Sequence, residues 1–388
     1  MKKRREILEA AGLGSAALMA AMMTAPGQAS AETLPVLPEV KPKHHIRFGV
    51  CGISHDHIHG MIGAIQRGGG ELVSYWGAEP DKLVVFAKRY PNAKAARTQD
   101  EVLHDSSMQL VLSSHIANER AGIGVRAMKA GKDFLADKPG ITTLQDLALV
   151  RKTITETGRI YAILYSERLE VRAAVHAGEL IRQGAIGKVI QTINIAPHQV
   201  IQHPGDNGGG APRPGWFWED VQYGGILCDI GSHQIDQFLF YTGSTQAEVV
   251  AAQTANLRHR DHPHFQDFGD MMLKGDKGFG YVRLDWFTPD GLGTWGDGRL
   301  FVLGTDGYIE LRKYTNVAVS KQGNNLFVVD GKRARFIDCN NGPLPFGPQF
   351  VADIVNRTHT AQDQTQCLLA AELSIRAQLA AKRATISG

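Results

Sequence analysis

The stretch Ile46-Arg-Phe-Gly-Val-Cys-Gly52-Ile-Ser54-His-Asp-His57 is an apolar run that ends on a glycine and continues into a polar turn. The run predicts a buried first strand, and apolar positions at helical spacing follow at residues 58–66. A strand, a glycine turn and a helix in this order are typical of the start of a dinucleotide-binding fold. Of the usual G-x-G-x-x-G pattern, however, the turn keeps only Gly52.

Strands and helices continue to alternate after this turn. Strand-like runs lie at residues 72–76, 110–114, 134–136 and 160–165, separated by helical patterns at residues 82–90, 117–130 and 143–157. Strict alternation predicts a parallel, doubly wound sheet. Beyond residue 166 several strands follow one another, which predicts a large, mostly antiparallel open sheet. We therefore expect an α/β Rossmann domain at residues 45–165 and an α+β domain at residues 166–388.

The N-terminus has the pattern of an export signal rather than of a folded element. A basic segment, Lys2-Lys-Arg-Arg5, precedes a mildly apolar stretch, and Ala29-Ser-Ala31 is a plausible cleavage site. The apolar stretch is too short to span a bilayer. The arginine pair favours the twin-arginine route, with a general secretory signal or an uncleaved anchor as alternatives. We expect a signal at residues 1–31, a linker at residues 32–44 and a periplasmic protein.

Charge and cysteine content exclude some partners. The formal net charge of +3 falls to +1 once the signal, with four basic and two acidic residues, is removed. Such a balance gives no reason to expect a nucleic acid or, after cleavage, a membrane as partner. The four cysteines form no CxxC pair, so we interpret them as small apolar core residues, although an exported protein could pair them.

The turn after the first strand predicts the cofactor residues. Gly52, Ile53, Ser54 and His55 form the turn, in which Ser54 could cap the helix and free N–H groups could hold a phosphate. Ser114 ends another strand at the same predicted sheet edge. Glu79 follows the second strand, where an acidic residue binds ribose hydroxyls and favours NAD over NADP.

The same turn is rich in histidine. His55, Asp56, His57 and His59 could ligate a metal, because His55 and His59 are four residues apart and share a helix face. Neither a cysteine nor a glutamate completes a set. We interpret this segment as a polar helix start that lines the cofactor cleft, and we assign no metal ligand.

Two further segments have the residue types of a catalytic site. Asp137-Lys138-Pro139 follows a strand and places Lys138 at the carboxyl edge of the sheet. A helix is predicted at residues 225–241. In Gly224-Gly-Ile-Leu-Cys-Asp229-Ile-Gly-Ser-His233-Gln-Ile-Asp236, the acidic residues and His233 share one face of this helix. Flanking carboxylates would orient His233 and keep its pKa near or above neutral, so that it can exchange a hydroxyl proton. The alternative is a structural ion network.

An aromatic cluster precedes this helix. Trp216 and Trp218 lie in the loop segment Arg213-Pro-Gly-Trp-Phe-Trp-Glu219. Indole rings bind the apolar C–H faces of sugars, although aromatic clusters belong more often to a core. We expect these two tryptophans to contact the substrate.

The last two segments together resemble the glucose-fructose oxidoreductase / inositol dehydrogenase / MocA (Gfo/Idh/MocA) family. Ala130-Gly-Lys-Asp-Phe-Leu-Ala-Asp-Lys138-Pro is similar to that family's AG…EKP motif, with aspartate in place of glutamate, and the segment ending at Asp236 is similar to its second motif. The resemblance runs from about His45 to the C-terminal helix.

The resemblance implies roles for individual residues. Lys138 would contact substrate and nicotinamide, Asp229 would position the substrate, and His233 would be the acid/base. Arg168 occupies a place where the family often has a basic residue, and Asp236 belongs to the second motif, so both would contact substrate. Residues 166–388 would form the domain for substrate binding and oligomerisation. The resemblance also implies a tightly held NAD or NADP, a carbohydrate-like substrate, and a homodimer or homotetramer formed through the open sheet.

Three functions remain open from the sequence. The first is an exported NAD(P)-dependent oxidoreductase that acts on a sugar, polyol or sugar derivative. The second is a redox-neutral, NAD-assisted glycosidase or lyase of the same family. The third is a non-enzymatic, metal-binding exported protein, suggested by the histidines near His57 and by Arg258-His-Arg-Asp-His-Pro-His264.

Overall fold

The computed structural model describes residues 39–200 and 213–386, so the predicted export signal and the first part of the linker lie outside the described residues. The N-terminal unit contains six strands: β1 Ile46–Cys51, β2 Gly70–Trp76, β3 Lys94–Ala95, β4 Leu110–Ser113, β5 Asp133–Ala136 and β6 Tyr161–Ile163. They pair in the order β3-β2-β1-β4-β5-β6, and every pair is parallel. This is the strand order of a Rossmann sheet, in which ligands bind where the order reverses, next to β1 and β4.

Helices join these strands: α1 His57–Arg67, α2 Pro80–Arg89, α3 Gln99–Leu103, α4 Arg120–Lys129 and α5 Leu144–Thr157. Local chemistry sets their starts. Pro80 supplies the fixed φ of a first helical turn, and the Thr143 hydroxyl accepts a hydrogen bond from the Asp146 N–H ahead of α5. Both faces of the sheet are covered, since Val50 and Cys51 of β1, which point to opposite faces, are fully buried.

Within residues 166–200 and 213–386, the C-terminal unit contains nine strands: β7 Val189–Pro197, β8 Ala247–Ala255, β9 Phe268–Gly275, β10 Phe279–Asp285, β11 Arg299–Gly304, β12 Gly307–Arg312, β13 Asn325–Asp330, β14 Ala334–Asp338 and β15 Lys382–Arg383. They form one sheet in the order β14-β13-β12-β11-β7-β10-β9-β8-β15. Only β7–β10 and β8–β15 are parallel pairs. The predicted fold class is therefore confirmed.

The helices of this unit are α6 Ser166–Leu169, α7 Arg172–Arg182, α8 Asp220–Tyr223, α9 Ile226–Asp229, α10 Gly231–Thr242, α11 Phe346–Asn356 and α12 Gln364–Ala380. α10 packs on β7 and β10, while α12 packs on β8 and also on α5 of the first unit. α11 packs on α1, where a Cβ on Gly347 would lie 1.9 Å from the Ala64 carbonyl oxygen. The chain end therefore returns to the first unit and joins it to the second.

Some local predictions differ from the structure. The helix predicted at residues 225–241 is two helices, α9 and α10, which meet at Ile230. β3, β13, β14 and β15 were not predicted. α11 ends before Arg357, whose φ of +59° interrupts the helical path towards α12. All four cysteines are buried and free, as expected of core residues. Within residues 39–200 and 213–386 no helix is both long and apolar enough to cross a bilayer.

Candidate active site

A cavity of about 400 Å³ lies where the carboxyl edge of the first sheet meets the second unit. The first unit contributes His55, His57 and Lys138 to its wall, and the second unit contributes Asp229 and His233. A larger cavity, of about 670 Å³, contains none of these residues. The chemistry is therefore concentrated in the smaller cavity.

Lys138 and Asp229 meet across the two units. The Lys138 Nζ donates a hydrogen bond of 2.9 Å to Asp229 Oδ1, although the residues are 91 positions apart. Their side chains are 5% and 12% exposed, so the pair is shielded but still borders the cavity. One residue, Asp137, separates Lys138 from the end of β5, and the Lys138–Pro139 peptide bond is cis. The turn thus presents one cation and the end of α9 presents one carboxylate to the same space.

Asp137 anchors the turn that carries Lys138. Its carboxylate accepts hydrogen bonds from the Ser114 hydroxyl and the Lys138 N–H, and it lies 2.9 Å from the His57 Nδ1. The Arg120 guanidinium is 3.3 Å away and also donates to the Lys138 carbonyl. Burial raises the pKa of Asp137, but His57 and Arg120 hold it well below its usual range. A charged Asp137 therefore fixes the position of Lys138.

His233 is a buried imidazole on the cavity wall. Burial lowers its pKa well below the ordinary value, and the cation Lys138 lowers it further, against the opposing effect of Glu167. The expectation of a pKa near or above neutral was wrong, because neither predicted carboxylate is the dominant influence on the ring. Its Nδ1 is buried without a hydrogen-bond partner among the described residues. At neutral pH this histidine is an uncharged base.

Arg168 and Asp236 do not line this cavity, contrary to the expectation that both contact substrate. The guanidinium binds the carboxylate in a bidentate manner, at 2.6 and 2.9 Å, with side chains 7% and 0% exposed. The prediction that Asp236 shares a helix face with Asp229 was wrong, because the helix is interrupted at Ile230 and α10 starts after this break. The side chain of Asp236 is buried in the core instead. The pair is a buried ion pair behind the site.

Glu167 lies on the cavity wall, where its neighbour Arg168 was expected. Its Oε2 accepts hydrogen bonds from Lys313 Nζ at 2.5 Å and from Gln234 Nε2 at 2.9 Å. Burial raises the pKa of Glu167, but the charge of Lys313 holds it well below its usual range. The other oxygen, Oε1, is buried and has no partner in the described chain, so it can accept a hydrogen bond from a ligand.

The indole rings on the cavity wall are Trp286 and Trp295, not the two that were predicted. Trp216 lies near the site, with its ring 6.4 Å from that of His55, but it is not part of the lining. Trp218 stacks on His262 at 3.9 Å, away from the cavity. Which tryptophans line the cavity depends on tertiary contacts, so the sequence alone could not distinguish among them.

The glycine turn is more enclosed than predicted. Gly52 has φ +106°, and a Cβ there would lie 2.4 Å from that of His115, so glycine is required. Ser54 does not cap α1; its hydroxyl lies 3.0 Å from the His115 Nδ1. The His55 N–H donates to the Ser114 carbonyl, and the His57 N–H to the His55 Nδ1. These two N–H groups are therefore not free for a phosphate.

Other residues of the cofactor cleft fit a dinucleotide. Glu79 lies just after β2, and its Oε2 is buried with no hydrogen-bond partner among the described residues, as a ribose-binding carboxylate would be before its ligand arrives. Ile53 is buried against Gly77, where a Cβ would clash at 2.5 Å. The unpartnered carboxylate after β2 therefore fits a ribose, while the glycine turn retains fewer free N–H groups than expected.

Part of the predicted histidine cluster does converge. His55 and His57 meet Asp137, with one potential ligand atom from each within 4.8 Å of the others. His59 instead bonds the Tyr90 hydroxyl, and Asp56 lies 3.6 Å from Lys82. In the second histidine segment, His259 binds Asp267 at 3.0 Å.

Sequence reasoning missed several lining residues: Glu167, His198, Gln199, Arg213, Trp286, Trp295 and Tyr314. Arg213 stands at the start of the aromatic segment, so an arginine beside tryptophans was an available signal. Most of the others lie on strand ends or loops of the second unit without a local motif. Only the folded sheet brings them to the site.

Comparison with known proteins places this architecture. The family model described as the GFO/IDH/MocA C-terminal domain matches residues 174–310. A crystal structure from Erwinia carotovora atroseptica SCRI1043, assigned as an oxidoreductase, is 43% identical with a TM-score of 0.83, over 88% of this chain and 100% of that one. The chain belongs to the Gfo/Idh/MocA family of oxidoreductases.

More distant Gfo/Idh/MocA relatives share the fold or part of the sequence. A 3-ketoreductase from Actinomadura kijaniata, solved with NADP and TDP-benzene, has a TM-score of 0.69 at 16% identity, over 88% of this chain and 99% of that one. The 1,5-anhydro-D-fructose reductase of Ensifer adhaerens is 26% identical over 213 residues, 53% of this chain and 59% of the relative. The D-xylose dehydrogenase of Paenarthrobacter nicotinovorans is 24% identical over 157 residues, 40% and 39%. This chain spans less than two thirds of these two curated relatives.

Proposed function

We propose that this protein is an NAD(P)-dependent oxidoreductase that converts a sugar, polyol or sugar derivative between its alcohol and carbonyl forms. The observation that carries the proposal is the convergence of Lys138, Asp229 and His233 in one cavity at the carboxyl edge of a Rossmann sheet. The bound nicotinamide would supply the hydride acceptor or donor. The relatives named for sugar reduction and sugar dehydrogenation support the same substrate class.

The residues divide the proton chemistry among them. The neutral imidazole of His233 accepts the proton of the reacting hydroxyl during oxidation and returns it during reduction. The Lys138 ammonium donates a hydrogen bond to the reacting oxygen and stabilises the charge that develops on it. Asp229 accepts a bond from a neighbouring hydroxyl while it holds Lys138 in place.

The cavity wall suits a ligand with many hydroxyl groups. Among the described residues, several of its buried polar atoms lack a partner, and they include both acceptors and donors: Glu167 Oε1, Gln199 Oε1, His233 Nδ1, Arg213 Nε and Trp286 Nε1. Unsatisfied buried groups are costly, so a ligand that pairs with them gains affinity and specificity. The faces of Trp286 and Trp295 offer the complementary apolar surface for a sugar ring.

The first test addresses the acid/base. A panel of sugars and polyols is assayed for NADH or NADPH formation, and His233→Asn is compared with His104→Asn, whose side chain is 69% exposed on the surface. We expect the first variant to lose about 10²–10⁴-fold in kcat and the second to be unchanged. Full activity of His233→Asn contradicts the assignment. Product formed without accumulation of reduced cofactor favours the redox-neutral glycosidase or lyase.

The second test addresses the cofactor. Protein is denatured, and the released nucleotide is identified by mass spectrometry. We expect NAD, because the Glu79 carboxylate repels the 2′-phosphate of NADP, and we expect it to be tightly held. Glu79→Gln should weaken NAD binding, whereas Glu71→Gln, a change at a side chain of β2 that is 54% exposed, should not. Protein that neither carries nor binds NAD(H) or NADP(H) contradicts the proposal.

A second candidate function is metal binding at His55, His57 and Asp137, whose potential ligand atoms converge within 4.8 Å. The Arg120 guanidinium, 3.3 Å from Asp137, opposes a cation there. Elemental analysis of the purified protein, with His57→Ala as the comparison, decides the matter. A stoichiometric metal that this substitution removes supports the second candidate.

We also propose a homodimer or homotetramer formed through the open face of the second sheet. Phe279, Met272 and Val250 are 52%, 53% and 57% exposed. Strand register aligns a mostly apolar row across this face: Met272, Tyr281, Ile193, Phe301, Glu310, Phe327 and Phe336. Such a contiguous row suits a subunit interface. Light scattering should show an oligomer that Phe279→Glu weakens, and a monomeric wild-type protein contradicts the proposal.

The proposed location follows from the residues outside the described structure. We propose export to the periplasm by the twin-arginine route, with the cofactor already bound. Replacing Arg4 and Arg5 with lysine should retain the protein in the cytoplasm, as followed by fractionation. Unchanged export of that variant supports a general secretory signal instead.

A further inference from the structure

Most charged residues of the cavity wall have a partner of opposite charge. Lys138 is paired with Asp229, Glu167 with Lys313 at 2.5 Å, and Glu170 with Arg67 at 2.5 Å. Burial lowers the pKa of His198, and that of His233 as well, so both imidazoles are neutral near pH 7. Among the described lining residues, the cation left without an acidic partner within 4.0 Å is Arg213.

The structure holds the Arg213 guanidinium in a fixed position. Its Cζ lies 4.7 Å from the ring centre of Phe217 and 5.1 Å from that of Trp286. The Nη1 is 3.4 Å from the His55 Nε2, and the Nε is buried without a hydrogen-bond partner in the described chain. Burial lowers the pKa of this guanidinium, the direction expected for a shielded cation. The two aromatic rings cover the faces of the guanidinium. The Nε–H on its edge remains available to a ligand.

A planar anion suits that donor edge. A carboxylate binds a guanidinium through two parallel hydrogen bonds, and such charge-assisted pairs are stronger than bonds between neutral groups. Arg213 lines the same cavity as Asp229 and His233 and packs on Trp286 of the second unit; of the turn, His55 and His57 also line this cavity, whereas Gly52 and Ser54 do not. Its position therefore favours an anionic group on the substrate over the diphosphate of the cofactor.

We propose that Arg213 binds a carboxylate of the substrate, so that the substrate class is acidic sugars such as uronic or aldonic acids. This inference rests on the proposed function, since it specifies the ligand of the same cavity. A neutral sugar would leave the guanidinium unpaired, and the cavity would discriminate against it.

The experiment measures binding without turnover. Isothermal titration compares D-glucuronate, D-galacturonate and D-gluconate with the neutral counterparts D-glucose, D-galactose and D-sorbitol, on wild type, Arg213→Gln and Arg213→Lys. Arg97→Gln is the matched control, because that side chain is 90% exposed. We expect at least one acid to bind wild type more tightly than its neutral counterpart. Arg213→Gln should lose about tenfold or more of that affinity, Arg213→Lys should lose less, and the control should lose none.

Several results would overturn the inference. They are equal binding of acids and neutral sugars, absence of binding by every acid, or unchanged acid binding in a folded Arg213→Gln protein. A parallel titration with NAD⁺ separates the other source of an anion: a loss confined to NAD⁺ assigns Arg213 to the cofactor diphosphate. If a neutral polyol is turned over with NAD and the rate is unchanged in Arg213→Gln, this inference is contradicted but the proposed function is not. Acid binding without any hydride transfer contradicts the proposed function alone.

Discussion

Replacing Asp236 with asparagine separates a structural role from a substrate-binding role. The Asp236 carboxylate is fully buried and makes two hydrogen bonds, of 2.6 and 2.9 Å, to the Arg168 guanidinium. The substitution keeps the shape but removes the charge, which leaves the guanidinium unpaired in the core. Breaking one partner of a buried pair costs about 3–5 kcal/mol. The ring of Phe240, 4.4 Å from the Arg168 Cζ, compensates part of this, so we expect a value near 3 kcal/mol.

The assay is urea unfolding followed by far-ultraviolet circular dichroism, together with kcat/KM of the folded enzyme. We expect lower stability and a kcat/KM near that of wild type, because neither residue lines the cavity of His233. The double variant Arg168→Met/Asp236→Leu removes both charges and should be more stable than Asp236→Asn, with a coupling free energy of about 1–3 kcal/mol. A drop of tenfold or more in kcat/KM, at nearly unchanged stability, would refute this reasoning and restore a substrate contact.

Three further predictions follow from local geometry. Gly52→Ala should destabilise the protein by about 1–3 kcal/mol in thermal unfolding, because Gly52 has a positive φ and an added Cβ would clash with His115. Gly60→Ala, in a helix with open space around the residue, should not destabilise the protein. Equal effects of the two substitutions would contradict this prediction. Burial lowers the pKa of His198 to about 4, so as the pH falls this histidine binds a proton in the unfolded chain before it does so in the folded one. The free energy of unfolding should therefore decline by about 2–3 kcal/mol between pH 6.5 and 4. Urea unfolding at each pH measures this decline, which should be smaller in His198→Asn. Arg120→Met should lower both stability and kcat, because it removes the partner of Asp137 and the donor to the Lys138 carbonyl; unchanged kinetics would assign Arg120 to folding alone.

Local pattern was sufficient for the first unit. β1, β4 and β5 are buried almost throughout, so they are largely apolar runs, and a helix separates each strand of this unit from the next. Such runs identify the strands, and their alternation identifies the parallel sheet. β3 has only two residues and both are exposed, so its sequence contains no apolar signal.

The second unit shows where local pattern fails. β14 is the edge strand of the sheet and pairs with β13, which in turn pairs with β12. Neither strand was predicted, and their place in the sheet depends on this long-range pairing. The helix predicted at residues 225–241 breaks at Ile230, which removes the shared face of Asp229 and Asp236. Helical spacing is a valid guide only within one uninterrupted helix.

The sequence by itself determined the fold class and the segments that carry Lys138, Asp229 and His233, because strand, turn and helix signals are local. It could not determine which charges pair, because a carboxylate finds its partner through space: Asp229 pairs with Lys138 across two units, while Asp236 pairs with Arg168 in the core. Burial is likewise a tertiary property. The same imidazole that the neighbouring carboxylates would keep protonated is neutral in the fold, because desolvation outweighs them.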